Sequence, residues 1–158
     1  MGITFRVLGY IKKKQGYLEE SRDAYLSALK HFKECVGEKS HYTSQCCRNL
    51  GFYHLDNGNY ETAGYTLSSY PPFRLLTAFR TYFEQAIRGY RTHECYKDEL
   101  AWSLYGLSQT QSVNGDDSRA TGNLSEAKSI LQQRGVAVPL DDHVTSEFFE
   151  KQVALPAR

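Results

Sequence analysis

Residues 8–28 read LGYIKKKQGYLEESRDAYLSA, and residues 107–127 read LSQTQSVNGDDSRATGNLSEA. The two stretches share few identities, yet their small residues fall at the same places. One residue after the leucine (Leu8, Leu107) stands Gly9 or Ser108, and eight after it stands Gly16 or Gly115. Thirteen and twenty after it stand Ser21 and Ala28, or Ala120 and Ala127. A third stretch, LGFYHLDNGNYETA at residues 50–63, supplies Leu50, Gly51, Gly58 and Ala63 at the same offsets. A repeated helix–turn–helix unit accounts for this spacing. The small residue after the leucine admits a second helix at close range, and the glycine breaks the chain between the two. The later small residues, seven apart, share one face of the second helix. A repeat of this length sets the architecture of the whole chain.

These residues resemble the tetratricopeptide (TPR) repeat, whose pattern is Leu-Gly in helix A, glycine at the turn, and Ala, aromatic, Ala in helix B. Leu8-Gly9, Gly16, Tyr25 and Ala28 fit, with Ser21 for the first alanine. Leu107, Gly115, Ala120, Leu124 and Ala127 fit, with Ser108 for the glycine and Leu124 for the aromatic. Lys12, His54 and Gln111 stand where the family carries its helix-A aromatic, and the closing proline is missing. Gly16 and Gly58 are 42 residues apart, the period of kinesin-light-chain-like repeats rather than of ordinary TPRs. The resemblance covers about residues 2–134. It implies a right-handed all-α solenoid of three helix hairpins, to which a short C-terminal capping helix is added below.

The second copy does not close. Seven residues after Ala63 stands Tyr70, followed by Pro71-Pro72, and proline ends a helix by removing an N–H and constraining its predecessor. The expected ending comes later, in Tyr82-Phe83-Glu84-Gln85-Ala86-Ile87. Removing the 16 residues 64–79 puts Ala63, Phe83 and Ala86 into register. The same removal cuts the Gly58 to Gly115 interval from 57 to 41. Residues 64–79 therefore read as an insertion, either a genuine loop or translated intron sequence in a mispredicted gene. The repeats then span about residues 2–39, 40–93 and 94–135, within a domain over residues 1–140.

Helical periodicity predicts helices to about residue 14, then over about 18–35, 40–56, 74–91, 96–113 and 119–134. A helix beginning near Tyr60 is interrupted. Asp117 or Ser118 is the expected N-cap of the helix after Gly115. Residues 141–158 form a tail in which Asp141 or Asp142 caps a short helix carrying Val144, Phe148 and Phe149. A solenoid needs such an element over the apolar face of its last repeat. The sequence opens directly on a repeat, which suggests a fragment or the end of a longer array.

The net charge of +1 gives no general attraction to nucleic acid or anionic membrane. No apolar run reaches bilayer length, and the first residues lack a secretory pattern. Cys35, Cys46, Cys47 and Cys95 show no C-x-x-C pairing, so free thiols in a reducing cytoplasm are expected. No metal-ligand spacing joins Cys46 and Cys47 to His41 or His54. Phosphate-binding loops, the nucleophile elbow and H-E-x-x-H are all absent from the sequence. His93-Glu94-Cys95 reads as a polar inter-repeat loop rather than a Cys/His nucleophile. No catalytic residue, cofactor or metal is expected, and the chain is not read as an enzyme.

The resemblance implies a concave surface, built by the A helices, that binds an extended peptide or a partner helix. Its groove positions transfer to Arg6, Tyr10 and Lys13; to Gln45, Arg48, Asn49 and Phe52; and to Trp102, Tyr105 and Gln109. Asn49 matches the asparagine with which such grooves hold a peptide backbone, whereas Val7 and Gly106 at the equivalent places do not. Basic and aromatic types dominate these positions, so the expected ligand is an acidic or C-terminal-carboxylate peptide with an apolar anchor. The expected function is a protein-interaction scaffold, either free or as the C-terminal part of a larger regulatory protein. Two alternatives remain: a non-functional truncated gene product, and an RNA-binding helical repeat, the latter disfavoured because the basic residues are dispersed among the 12 tyrosines.

Overall fold

The computed structural model describes residues 1–57, 72–139 and 146–153. Among them are seven α-helices and no strand: α1 (Gly2–Lys14), α2 (Leu18–Val36), α3 (His41–Asn57), α4 (Pro72–Tyr90), α5 (Lys97–Val113), α6 (Asp117–Gln133) and α7 (Ser146–Val153). A single 3-10 turn, Glu94–Tyr96, leads into α5. Helices α1 and α2, α3 and α4, and α5 and α6 pack as pairs. The pairs are stacked by α2 on α3 and α4 on α5, which makes an all-α solenoid.

The turns repeat as closely as the sequence offsets do. After α1 the Tyr17 N–H reaches back to the Lys12 carbonyl at 2.9 Å, and after α5 the Asp116 N–H reaches back to Gln111 at 3.0 Å. Between these partners lie Gly16 and Gly115, with φ of 82° and 74°. That left-handed conformation closes the last carbonyls of a helix and is costly for any residue with a Cβ. No side-chain bond caps α6, whose N-cap is Asp116 rather than Asp117 or Ser118.

In the first two repeats the glycine after the leucine meets an aromatic ring of helix B. A Cβ on Gly9 would fall 2.8 Å from Cδ1 of Tyr25, and one on Gly51 would fall 2.8 Å from Cζ of Phe83. Tyr25 lies 16 residues beyond Gly9, and Phe83 lies 32 beyond Gly51. The difference is the 16-residue excess that the register argument identified. A second pair agrees. Four residues past the leucine, His54 stacks on Tyr82 with centroids 5.8 Å apart, and Gln111 accepts from Asn123 Nδ2 at 2.6 Å. Tyr82 and Asn123 each lie four residues before the closing alanine, Ala86 or Ala127. Helix α4 is thus the back half of the second repeat's helix B.

Of the expected insertion, residues 64–71 lie outside the described residues. Residues 72–79 run as α-helix into the rest of α4, which begins two residues before the helix expected from about residue 74. Pro72 is the first helical residue, a place where a missing N–H costs nothing. The expected poor packing of Pro71, Phe73 and Leu76, the helix expected from Tyr60, and the caps Asp141 and Asp142 fall outside the described side chains.

Departures from the repeat pattern are satisfied locally. Buried Ser21 donates its hydroxyl to the Gly9 carbonyl at 2.7 Å, which ties α2 to α1. Buried Ser108 donates to the Tyr105 carbonyl at 2.7 Å. Lys12, in the aromatic's place, pairs with Glu20 at 2.7 Å and lies over the Tyr17 ring. A buried hydroxyl left unpaired would cost about 1–3 kcal/mol, so these bonds let serine substitute for alanine or glycine.

Candidate functional site

The A helices α1, α3 and α5 carry the ten side chains that the sequence assigned to a groove. The structure sorts them by depth. Tyr10 is exposed, and Arg6, Lys13, Gln45, Asn49 and Gln109 are half-buried. Arg48, Phe52, Trp102 and Tyr105 are buried, with 5%, 2%, 8% and 7% of their surface exposed. The expectation that these four line an open surface is therefore corrected. They join the core because each is covered by an aromatic side chain of an adjacent helix, Arg48 and Phe52 by Trp102 and Tyr105 by Phe149.

Two seams have the same construction. Arg48 stands two residues before Leu50, and its guanidinium lies 4.3 Å from the centroid of the Trp102 ring. Tyr105 stands two residues before Leu107, and its ring stacks on Phe149 of α7 with centroids 4.7 Å apart. Phe52 packs between Phe83 and Trp102, 5.0 Å from each ring. Helix α7 thus covers α5 as expected of a terminal element, and it does so on a groove-assigned residue.

The polar atoms at these seams are incompletely satisfied. Arg48 Nε and Nη1, Arg6 Nε, Gln45 Oε1, Trp102 Nε1, Tyr90 Oη and His41 Nδ1 are buried without a hydrogen-bond partner. No carboxylate comes within ion-pair distance of Arg6 or Arg48 among the described residues. Several other cations are matched: Lys13 reaches Asp56 at 3.1 Å, Arg91 reaches Glu126 at 2.8 Å, and Arg134 reaches Asp98 at 3.1 Å. The uncompensated charge is felt by its neighbours. His41, stacked 4.1 Å from Tyr96, is held down to about 4 by burial, and then by Arg48 and Arg6. Burial pushes the Glu99 carboxyl above its usual range, partly offset by its backbone hydrogen bond and by Arg48.

His41, Tyr90, Tyr96 and Phe149 belong to this region and were not assigned to it from the sequence. Tyr90 and Tyr96 flank the inter-repeat turn, and the packing of α4 on α3 brings them to His41. His93-Glu94-Cys95 is a polar turn: Glu94 pairs with Lys97 at 2.8 Å, and Cys95 is exposed. Cys46 and Cys47 are buried free thiols, both raised to about 12 by desolvation. Among the described residues no three His, Cys, Asp or Glu side chains gather as metal ligands. No described helix is long and apolar enough to cross a membrane.

No family model and no curated protein matches the sequence. The fold is similar to the crystal structure of BtubC (BKLC) from P. vanneervenii, a kinesin light chain-like helical-repeat protein. The two superpose with a TM-score of 0.68 at 18% identity. The match covers 91% of this chain, and the chain spans about half of that one, 52%. At this identity the likeness establishes the fold.

Proposed function

We propose that this chain is a protein-interaction module that holds a peptide or partner helix along its A helices and performs no catalysis of its own. The observation that carries the reading is the pair Arg6 and Arg48, two partly or wholly buried guanidinium groups with no carboxylate within ion-pair distance among the described residues. A buried unpaired charge costs several kcal/mol, and a ligand carboxylate recovers part of that cost on binding. Exposed Tyr10 and half-buried Gln45 and Asn49 supply contact area and backbone-directed hydrogen bonds beside them. The third repeat contributes less, because α7 already sits on Tyr105. The ligand class is therefore an acidic or C-terminal-carboxylate peptide with one apolar anchor, received mainly across α1 and α3. We place the module in the cytoplasm, on its unpaired thiols.

The test is a peptide array followed by titration of the strongest ligands. Acidic peptides should bind, and affinity should fall as salt rises. Arg6→Gln, at a half-buried position, should weaken binding about tenfold with helical content unchanged. A screen returning only basic or neutral ligands, or parental affinity in Arg6→Gln, overturns the reading.

A further inference from the structure

The place two residues before the leucine is filled differently in the three repeats. In α1 and α3 it holds Arg6 and Arg48, guanidinium groups with no carboxylate within ion-pair distance among the described residues. In α5 it holds Tyr105, on which the Phe149 ring of α7 lies with centroids 4.7 Å apart. Phe149 is fully buried there, and Phe148 meets it edge-on at 5.6 Å.

Helix α7 covers α5 but does not stand where a further repeat would begin. Helices α3 and α5 each pack more on the B helix before them, α2 or α4, than on the preceding A helix. Helix α7 reverses this: it packs on α5 with no comparable contact to α6. Nor does α6 call for a cover, since Asp117, Ser118, Arg119, Thr121 and Ser125 make its exposed side polar. The seat of α7 is thus the groove-assigned side of the third A helix. Its composition suits that seat. Ser146–Val153 reads SEFFEKQV, two adjacent aromatics between Glu147 and Glu150. Glu147 pairs with Lys151 of the same helix at 3.0 Å. A helix of eight residues is marginal by itself, so its order depends on the surface that receives it.

We infer that α7 is the chain's own occupant of the groove, a displaceable competitor, and that the partner is a short acidic helix with adjacent aromatics that replaces it on Tyr105. This rests on the reading of the A helices as a peptide-binding surface. The tether makes the competition effective. A segment joined through residues 134–145 acts at an effective concentration near the millimolar range, so a weak internal contact excludes a dilute ligand. A partner that displaces α7 gains Tyr105 as an aromatic seat, and its carboxylates can run on towards Arg48 and Arg6.

Amide chemical-shift titration of the full chain with a synthetic peptide of residues 146–153, SEFFEKQV, tests this. Phe149→Asp, which expels α7, should bind the peptide about tenfold more tightly than the parent, and adding Tyr105→Ser should abolish the gain. Circular dichroism of Phe149→Asp should lose no more than the eight residues of α7. Phe149→Ala, a milder change, should shift the affinity the same way by about threefold. Acidic ligands from the peptide array should gain by similar factors. Equal affinity of the parent and both variants for the peptide, or a gain that survives Tyr105→Ser, overturns the inference. So does a loss of helix well beyond α7 in both variants, which would make α7 part of the structural core. If array ligands bind but are indifferent to Phe149→Asp, this inference fails and the acidic-ligand reading stands. If the array returns no acidic ligand while SEFFEKQV binds as expected, that reading fails, and with it the acidic partner, while the seating of α7 stands.

Discussion

Helices α1 and α5 start from one pattern and end in different surroundings. Each is followed by the same glycine turn, and each has its leucine flanked by residues three before and three after it, Phe5 and Ile11 in α1 and Leu104 and Thr110 in α5. In α5 the triad is sealed by α4, and the groove residue Tyr105 is sealed by α7. In α1 the triad is open, and so is Tyr10. The intrinsic unit is therefore the helix pair with its turn, whereas burial is conferred by the neighbour.

The largest effect that bears on this contrast is the cost of truncating the leucine. Leu107→Ala should lose about 3 kcal/mol, as expected of a buried leucine, and Leu8→Ala under about 1 kcal/mol. Equal costs in urea denaturation would break the comparison. Next comes the second repeat, whose His41 has no counterpart in the other two. Its folded-state value of about 4 lies below the ordinary histidine value, so the unfolded chain takes the proton first as pH falls. Stability should be complete above about pH 6.5 and decline by about 2 kcal/mol towards pH 4. His41→Phe should flatten that portion of the pH profile of Tm, and an unchanged profile would remove His41 as its source.

A smaller change of opposite sign is expected at the seam between α3 and α5. Arg48→Met keeps much of the side-chain volume against Trp102 but removes an unpaired buried charge. It should raise stability by about 1–2 kcal/mol while weakening binding of acidic peptides. A loss of stability would mean that Arg48 has a compensating partner in solution. The smallest effects sharpen the likeness of the two ends. Gly16→Ala and Gly115→Ala should each cost about 1 kcal/mol, and by similar amounts, because both hold positive φ with open space around the missing Cβ. Unequal costs would show that the two turns are not equivalent.

Much of the fold was legible because its markers act locally or in register. The 16-residue excess in the second repeat was readable from Ala63, Phe83 and Ala86, and Phe83 stands against Gly51 as that register requires. Helix ends were read to within about two residues wherever a glycine or proline marked them, as at Gly16 and Gly115. The N-cap of α6 was misplaced because three successive residues, Asp116, Asp117 and Ser118, offer suitable side chains and none forms the bond. The site was legible only in part. The resemblance to the TPR repeat put Arg48, Phe52, Trp102 and Tyr105 on the groove side of their helices. It says nothing about what an adjacent helix places on top of them.

By itself the sequence determined the helix pairs, their turns and the repeat register, since these depend on residue spacing, backbone conformation and the space a glycine leaves. Only the tertiary structure decided which side chains are surface. It closed Trp102 over Arg48 and Phe149 over Tyr105, gathered His41, Tyr90 and Tyr96, and left Phe5, Leu8 and Ile11 uncovered. Burial is a property of pairs of elements. Equivalent residues on equivalent helices therefore become core or contact surface according to the helix packed beside them.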